Sequence, residues 1–152
     1  MAKVTDLEGV AGVNKVARLF VVTISVINAV CALICGVLFI GWPDGSLMAA
    51  GEMLEYIAAF PLAQVFFQDF RWIGIAMLLV LGLPNILASI ALLKKHAFQY
   101  QIVIIANALM MLWCAFQFVY LFNWLAVGYF SLGTLMIACA IYLSKCEEQV
   151  LR

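Results

Sequence analysis

The residues that could do chemistry in this chain are few: five cysteines, one histidine and a handful of side-chain amides within long apolar runs. Cys31 and Cys35 are spaced i, i+4 and so share a helical face. With Cys114 they could offer three thiols to a soft ion such as Cu(I). The only histidine, His96, lies in a basic loop beside Lys94 and Lys95 and cannot join them. A free buried cysteine otherwise behaves as a small hydrophobe, so these thiols read as packing, with no metal and no cofactor expected. The apolar runs contain no carboxylate, lysine or histidine for proton relay or general base work. No His/Glu metal pair or glycine-rich phosphate loop is present, and Ser46 has no nearby histidine. The chain reads as non-catalytic, with no catalytic residue assigned.

The elements that position these groups follow from composition. The chain has 152 residues, 68% of them hydrophobic and 11% charged, with a mean hydropathy of +1.15. A soluble domain is roughly half apolar and about a quarter charged. Balanced charge, 8 basic and 8 acidic residues, excludes the basic stripe that a nucleic-acid partner would need. Crossing a bilayer takes about 20 apolar residues, and residues 19–40 and 72–93 each qualify. Residues 97–144 carry no charge and are too long for one crossing, so the chain must turn within them. "FNWLAVG" at 122–128 is the best turn, because Asn123 and Gly128 favour turns and Trp124 suits the interface. Spans near 102–122 and 125–143 result. Backbone polar groups facing lipid must be satisfied internally, so the expected fold is an all-α bundle of four transmembrane helices in a single membrane domain, 1–152. The leading residues 1–20 lack a signal-peptide layout and read as a weakly amphipathic lead-in.

Charge placement predicts the orientation. The loop 41–71 carries Asp44, Glu52, Glu55, Asp69 and Arg71, whereas Lys3, Lys15, Arg18, Lys94, Lys95, Lys145 and Arg152 fall on the other side. The positive-inside rule makes the basic side cytoplasmic, with both termini in and the loop out. Within that loop Leu47, Ala50, Leu54 and Ile57 recur at helical spacing, with Glu52 and Glu55 on the opposite side. After Pro61 follows the aromatic-rich "LAQVFFQDF". Two short helices in the interface plane are expected. "WPDG" at 42–45 reads as an anchored turn ending the first span, and Glu52 and Glu55 as a candidate partner contact.

Depth along the spans brings out a polar layer. At the helical rise, Asn28, Asn85 and Thr134 lie about 12–14 Å from the inner edge and Asn107 about 8 Å. Cys31 and Cys114 lie higher, at about 18 Å. Asn85 follows Pro84, which lacks an N–H and should kink the second span by freeing the carbonyl of Val80. Asn28, Asn85, Asn107 and Thr134 are therefore either interhelical glue, at most about 2 kcal/mol each, or a small-molecule site.

The chain resembles a family of small bacterial integral membrane proteins with four predicted helices and no established activity. Asp44, Gly45 and Ser46 are similar to its Asp/Ser/Gly turn, in a different order and after Trp-Pro. Phe67, Asp69 and Phe70 match its Phe-x-Asp-Phe lead-in to a glycine-bearing second span ending in paired basic residues. Trp113, Gln117, Tyr129 and Gly133 look like its later landmarks. The resemblance implies a four-helix fold and no substrate. The sequence thus points to an accessory or interaction subunit of a bacterial inner membrane, in contact with the bilayer and with a second copy or a larger membrane partner. The alternative is a small transporter or a lipid- or small-molecule-binding protein that uses the polar layer.

Overall fold

With no water in a bilayer core, an apolar segment must close its backbone hydrogen bonds internally, and this chain does so as helix. The computed structural model describes residues 2–57, 63–120 and 122–151, with side chains over 12–56, 63, 65–120 and 122–149. Helix α1 is Ala2–Gly41, followed by a 3-10 turn at Ser46–Met48 and the short helices α2 (Met53–Ile57) and α3 (Ala63–Phe66). Helix α4 (Arg71–Ala76) runs through a π-helical stretch, Met77–Gly82, into α5 (Leu83–Leu93). Helices α6 (Gln99–Tyr120) and α7 (Trp124–Leu151) complete an all-α bundle.

Four helices are long and apolar enough to cross a membrane: Gly12–Gly41, Arg71–Leu93, Gln99–Tyr120 and Trp124–Gln149. The first, third and fourth extend further at the terminal end of the bundle than the apolar runs predict. Helical hydrogen bonding does not stop where hydropathy does, because long charged side chains such as Lys15 and Lys145 keep their heads in water while their stems cover apolar surface. The lead-in is helix from Ala2, continuous with the first span.

Arg18 of α1 reaches the Leu92 carbonyl at the terminal end. Gly36 of α1 meets the Leu78 side chain and Gly74 at the loop end, so the first two spans are antiparallel. A Cβ at Gly74 would stand 2.7 Å from the Gly36 carbonyl oxygen, a backbone contact that only glycine permits. Small residues bring membrane helices together in this way. Helix α6 packs on α5 and α7, and α7 returns to α1, closing a ring of four spans. Val21, Ala88, Leu92, Val103, Met136 and Ala140 form a core toward the terminal end. A smaller core of Phe39, Ala50, Phe70 and Ile73 closes the loop end, with the Phe39 and Phe70 rings stacked at 4.8 Å.

The irregularity demanded by Pro84 appears upstream, as a π-helical stretch in which the Leu83 N–H reaches back five residues to the Leu78 carbonyl. Asn123 ends one span and starts the next: its Oδ1 accepts from the Ala126 N–H at 2.7 Å, an N-cap. Gly128 lies inside α7 and takes no part in the turn. In the loop, helix does not run on from Leu47. Ala49 is left-handed (φ 50°), and the Ala50 N–H turns back to the Gly45 carbonyl. Ala50 is thereby buried and Leu54 packs beside it, while Leu47 stays exposed. Pro61 lies outside the described residues.

Candidate functional site

Asn28, Asn85, Asn107 and Thr134 each lie within about 5 Å of the middle of their helical spans. Side-chain direction then separates them. Asn28, Asn85 and Asn107 are 6%, 1% and 0% exposed. Thr134 is exposed and returns its hydroxyl to the Phe130 carbonyl of its own helix. The structure brings Asn28 and Asn85 to one cavity of about 150 Å³, lined from all four spans. Cys31 and Cys35, Trp113, Cys114, Gln117 and Tyr129 complete its polar and aromatic lining. Asn107 lies outside that lining, about one helical turn from Met110, which belongs to it.

The hydrogen bonds show what these amides have left to offer. Asn85 Nδ2 donates to the Leu81 carbonyl at 2.8 Å. A carbonyl only accepts, so the amide's orientation is fixed, and Asn85 Oδ1 finds no partner among the described residues. Asn28 Nδ2 reaches the Met110 sulfur, at 3.7 Å, a weak acceptor. Asn107 repeats the pattern of Asn85: its Nδ2 donates to the Val103 carbonyl, and its Oδ1 and the nearby-span Ser25 Oγ are buried without partners. Leaving a buried polar atom unpaired costs about 1–3 kcal/mol. The cavity is therefore lined by two side-chain amides, one from each of the first two spans, and by no charged residue among those described.

The expected gathering of thiols is found for Cys31, Cys35 and Cys114, which share the cavity wall, whereas Cys139 lies toward the terminal end beside Val13 and Leu135. No group of three His, Cys, Asp or Glu able to hold a metal occurs among the described residues.

A second polar constellation escaped the sequence reading. At the terminal end, Arg18 Nη2 donates to the Leu92 carbonyl at 2.8 Å and to Gln99 Oε1 at 3.1 Å. Its Nη1 meets Glu147 Oε1 and the Tyr100 hydroxyl, both at 3.3 Å. Tyr100 donates in turn to Glu147 at 2.5 Å, and Gln99 Nε2 to the other carboxylate oxygen at 3.3 Å. One guanidinium thus clasps α1, α5, α6 and α7. The available signal was opposite charge, Arg18 and Glu147, at the same end of the first and last spans.

At the loop end, Asp44 Oδ1 accepts from the Ser46 N–H at 3.1 Å and the Ser46 hydroxyl at 2.9 Å. These bonds, the backbone one foremost, hold its carboxyl below the ordinary aspartate range. Gly45 is left-handed (φ 72°), and a Cβ there would strike the Phe70 ring at 2.7 Å. The "WPDG" stretch is accordingly a turn built around one glycine. Glu52 and Glu55 are both exposed, with no side-chain ion pair or hydrogen bond to either among the described residues.

Fold and site together define an integral membrane protein, a four-span helical bundle with a polar cavity at mid-depth. No protein-family model, curated protein or solved structure matches the chain, so no family is identified.

Proposed function

We propose that this chain is a non-catalytic membrane protein that binds a small neutral molecule between its four spans. One observation carries the reading: Asn28 and Asn85, each more than nine-tenths buried, line a shared cavity, and the Asn85 acceptor oxygen is buried without a partner among the described residues. A ligand that donates a hydroxyl or amide hydrogen would relieve the cost of that atom. An ion is disfavoured, because no charged residue lines the space and an unpaired buried charge is far costlier than a buried hydroxyl. A space of about 150 Å³ suits a benzene-sized group.

The test compares phenol with toluene, which match in shape and differ in the donor. In detergent, phenol should raise the thermal midpoint of the protein more than toluene at equal concentration. Asn85→Leu and Asn28→Val should each abolish the difference. Equal shifts by both compounds would remove the reading.

A second reading, an accessory subunit, is favoured by the exposed Glu52 and Glu55, unpaired among the described residues. Reversing both to lysine should then strip a co-purifying membrane protein while the chain remains monodisperse; an unchanged complex rules it out. Seven of the eight basic residues lie at the terminal end, which supports a cytoplasmic position for both termini and, with the resemblance described above, a bacterial inner membrane. Labelling of Ser46→Cys in a cysteine-free background by an impermeant maleimide on intact spheroplasts checks that orientation. Labelling only after lysis reverses it.

A further inference from the structure

The close approach of Gly36 and Gly74 draws α4 against α1. Helix α6 packs instead on the π-helical stretch, on α5 and on α7. Between α4 and the loop-end half of α6 this leaves a groove of about 390 Å³. Phe66, Trp72 and Val80 line one side and Leu112, Trp113 and Phe116 the other. No charged residue lines it. Trp72 and Leu112 are 51% and 68% exposed, so the groove opens sideways, at a depth where a spanning helix faces lipid.

Trp113 borders both this groove and the mid-span cavity. The two spaces together therefore have the polarity profile of one amphiphile: a long apolar trough on the bilayer side of Trp113, and the amides of Asn28 and Asn85, the latter with its oxygen unpaired, on its interior side.

We propose that the occupant is a neutral lipid bearing a hydroxyl head, which enters from the bilayer between the second and third spans. This rests on the small-molecule reading above and names its ligand class and route. The hydroxyl donates to Asn28 Oδ1 or Asn85 Oδ1, and the hydrocarbon chain lies in the groove along Trp72 and Phe116. Trp113 stands between head and chain as the positioning residue. Each alternative conflicts with an observation. A phosphate head would be buried without a cation, because neither space has a lysine or arginine in its lining. A pure hydrocarbon would leave both amide oxygens as they are. A water-soluble ligand would make no use of the groove.

The experiment uses the full chain in phosphatidylcholine nanodiscs containing a diacylglycerol with a diazirine on its acyl chain. A phosphatidic acid with the same chain serves as the charged counterpart. After irradiation, adducts should concentrate on residues 109–116 and on α4, and unlabelled diacylglycerol should compete them away. Phosphatidic acid should be captured at least tenfold less. Asn85→Leu and Asn28→Val should each lower diacylglycerol capture about tenfold while leaving the helical circular-dichroism signal of the nanodisc-embedded protein intact. Equal capture of the two lipids, adducts spread evenly over the lipid faces of all four spans, or capture indifferent to both asparagine variants would each overturn the proposal. If phenol still outperforms toluene in an asparagine-dependent way while diacylglycerol is not captured, only the lipid assignment falls. Failure of both removes the binding reading as well.

Discussion

Two polar regions of the bundle treat their hydrogen bonds in opposite ways. At the terminal end, the Arg18 guanidinium, the Tyr100 hydroxyl, the Gln99 amide and the Glu147 carboxylate satisfy one another and a backbone carbonyl. At mid-span, beside a cavity, Asn85 keeps its acceptor unpaired and the Asn28 amide reaches a weak sulfur acceptor. A fully connected network fixes the relative positions of the helices it joins, whereas a half-satisfied one is a standing cost in the absence of a partner. On the proposed reading the two have different tasks: the clasp holds the bundle together, and the cavity is where a ligand would add something.

Breaking the clasp should have the largest effect on stability. Arg18→Met keeps the apolar stem and removes every donor, leaving the Leu92 carbonyl and Glu147 without their cationic partner. Unfolding in bicelles should show a loss of about 2 kcal/mol, a magnitude typical of hydrogen bonds to a charged group. The phenol preference should survive. Glu147, whose side chain is half exposed, can be compensated by water, so Glu147→Gln should cost less, on the order of 1 kcal/mol. If Arg18→Met leaves stability unchanged, the clasp is ornamental and the comparison collapses.

Asn85→Leu should do the reverse. It removes both a donor to Leu81 and an unpaired oxygen, so its net cost should stay within about 1 kcal/mol. Its binding effect is the tenfold one described above. A large loss of stability with ligand preference intact would recast the mid-span amides as glue.

The smallest effect belongs to the loop, outside both regions. Asp44 has a depressed pKa in the folded protein, so its contribution is present above its unfolded value and is lost as pH falls through the folded one. A slight acid destabilisation should thus appear below about pH 4. Asp44→Asn, which can still accept from Ser46, should be nearly silent at pH 7 and should remove that acid-dependent component. Thermal midpoints measured between pH 2 and pH 7 check both.

How much of this was legible in the chain can be seen residue by residue. Apolar runs of membrane length, the charge-free stretch that had to turn near Asn123 and the proline beside Asn85 were all local signals. Each led to an observed feature: four spanning helices, an N-cap and a π-helical stretch upstream of Pro84. The same hydropathy misplaced span ends by up to seven residues, because helix continues through Lys15 and Arg18 once their heads find partners or water. Depth counting put Asn28, Asn85, Asn107 and Thr134 in one layer of the inner half. It could not say which of them turn inward.

That decision belongs to tertiary structure. Hydropathy and helical rise are properties of one segment, and they determined the fold class and the number of spans. Rotation of each helix about its axis is set by its neighbours. Gly36 and Gly74 lock the first two spans into contact at backbone distance, and Gly133, where a Cβ would meet Met111 at 2.9 Å, brings α7 close to α6. Those close approaches turn Asn28 and Asn85 toward a common space and Thr134 away from it. They also bring Arg18 to Glu147 across 129 positions of sequence, a pairing that no local pattern encodes.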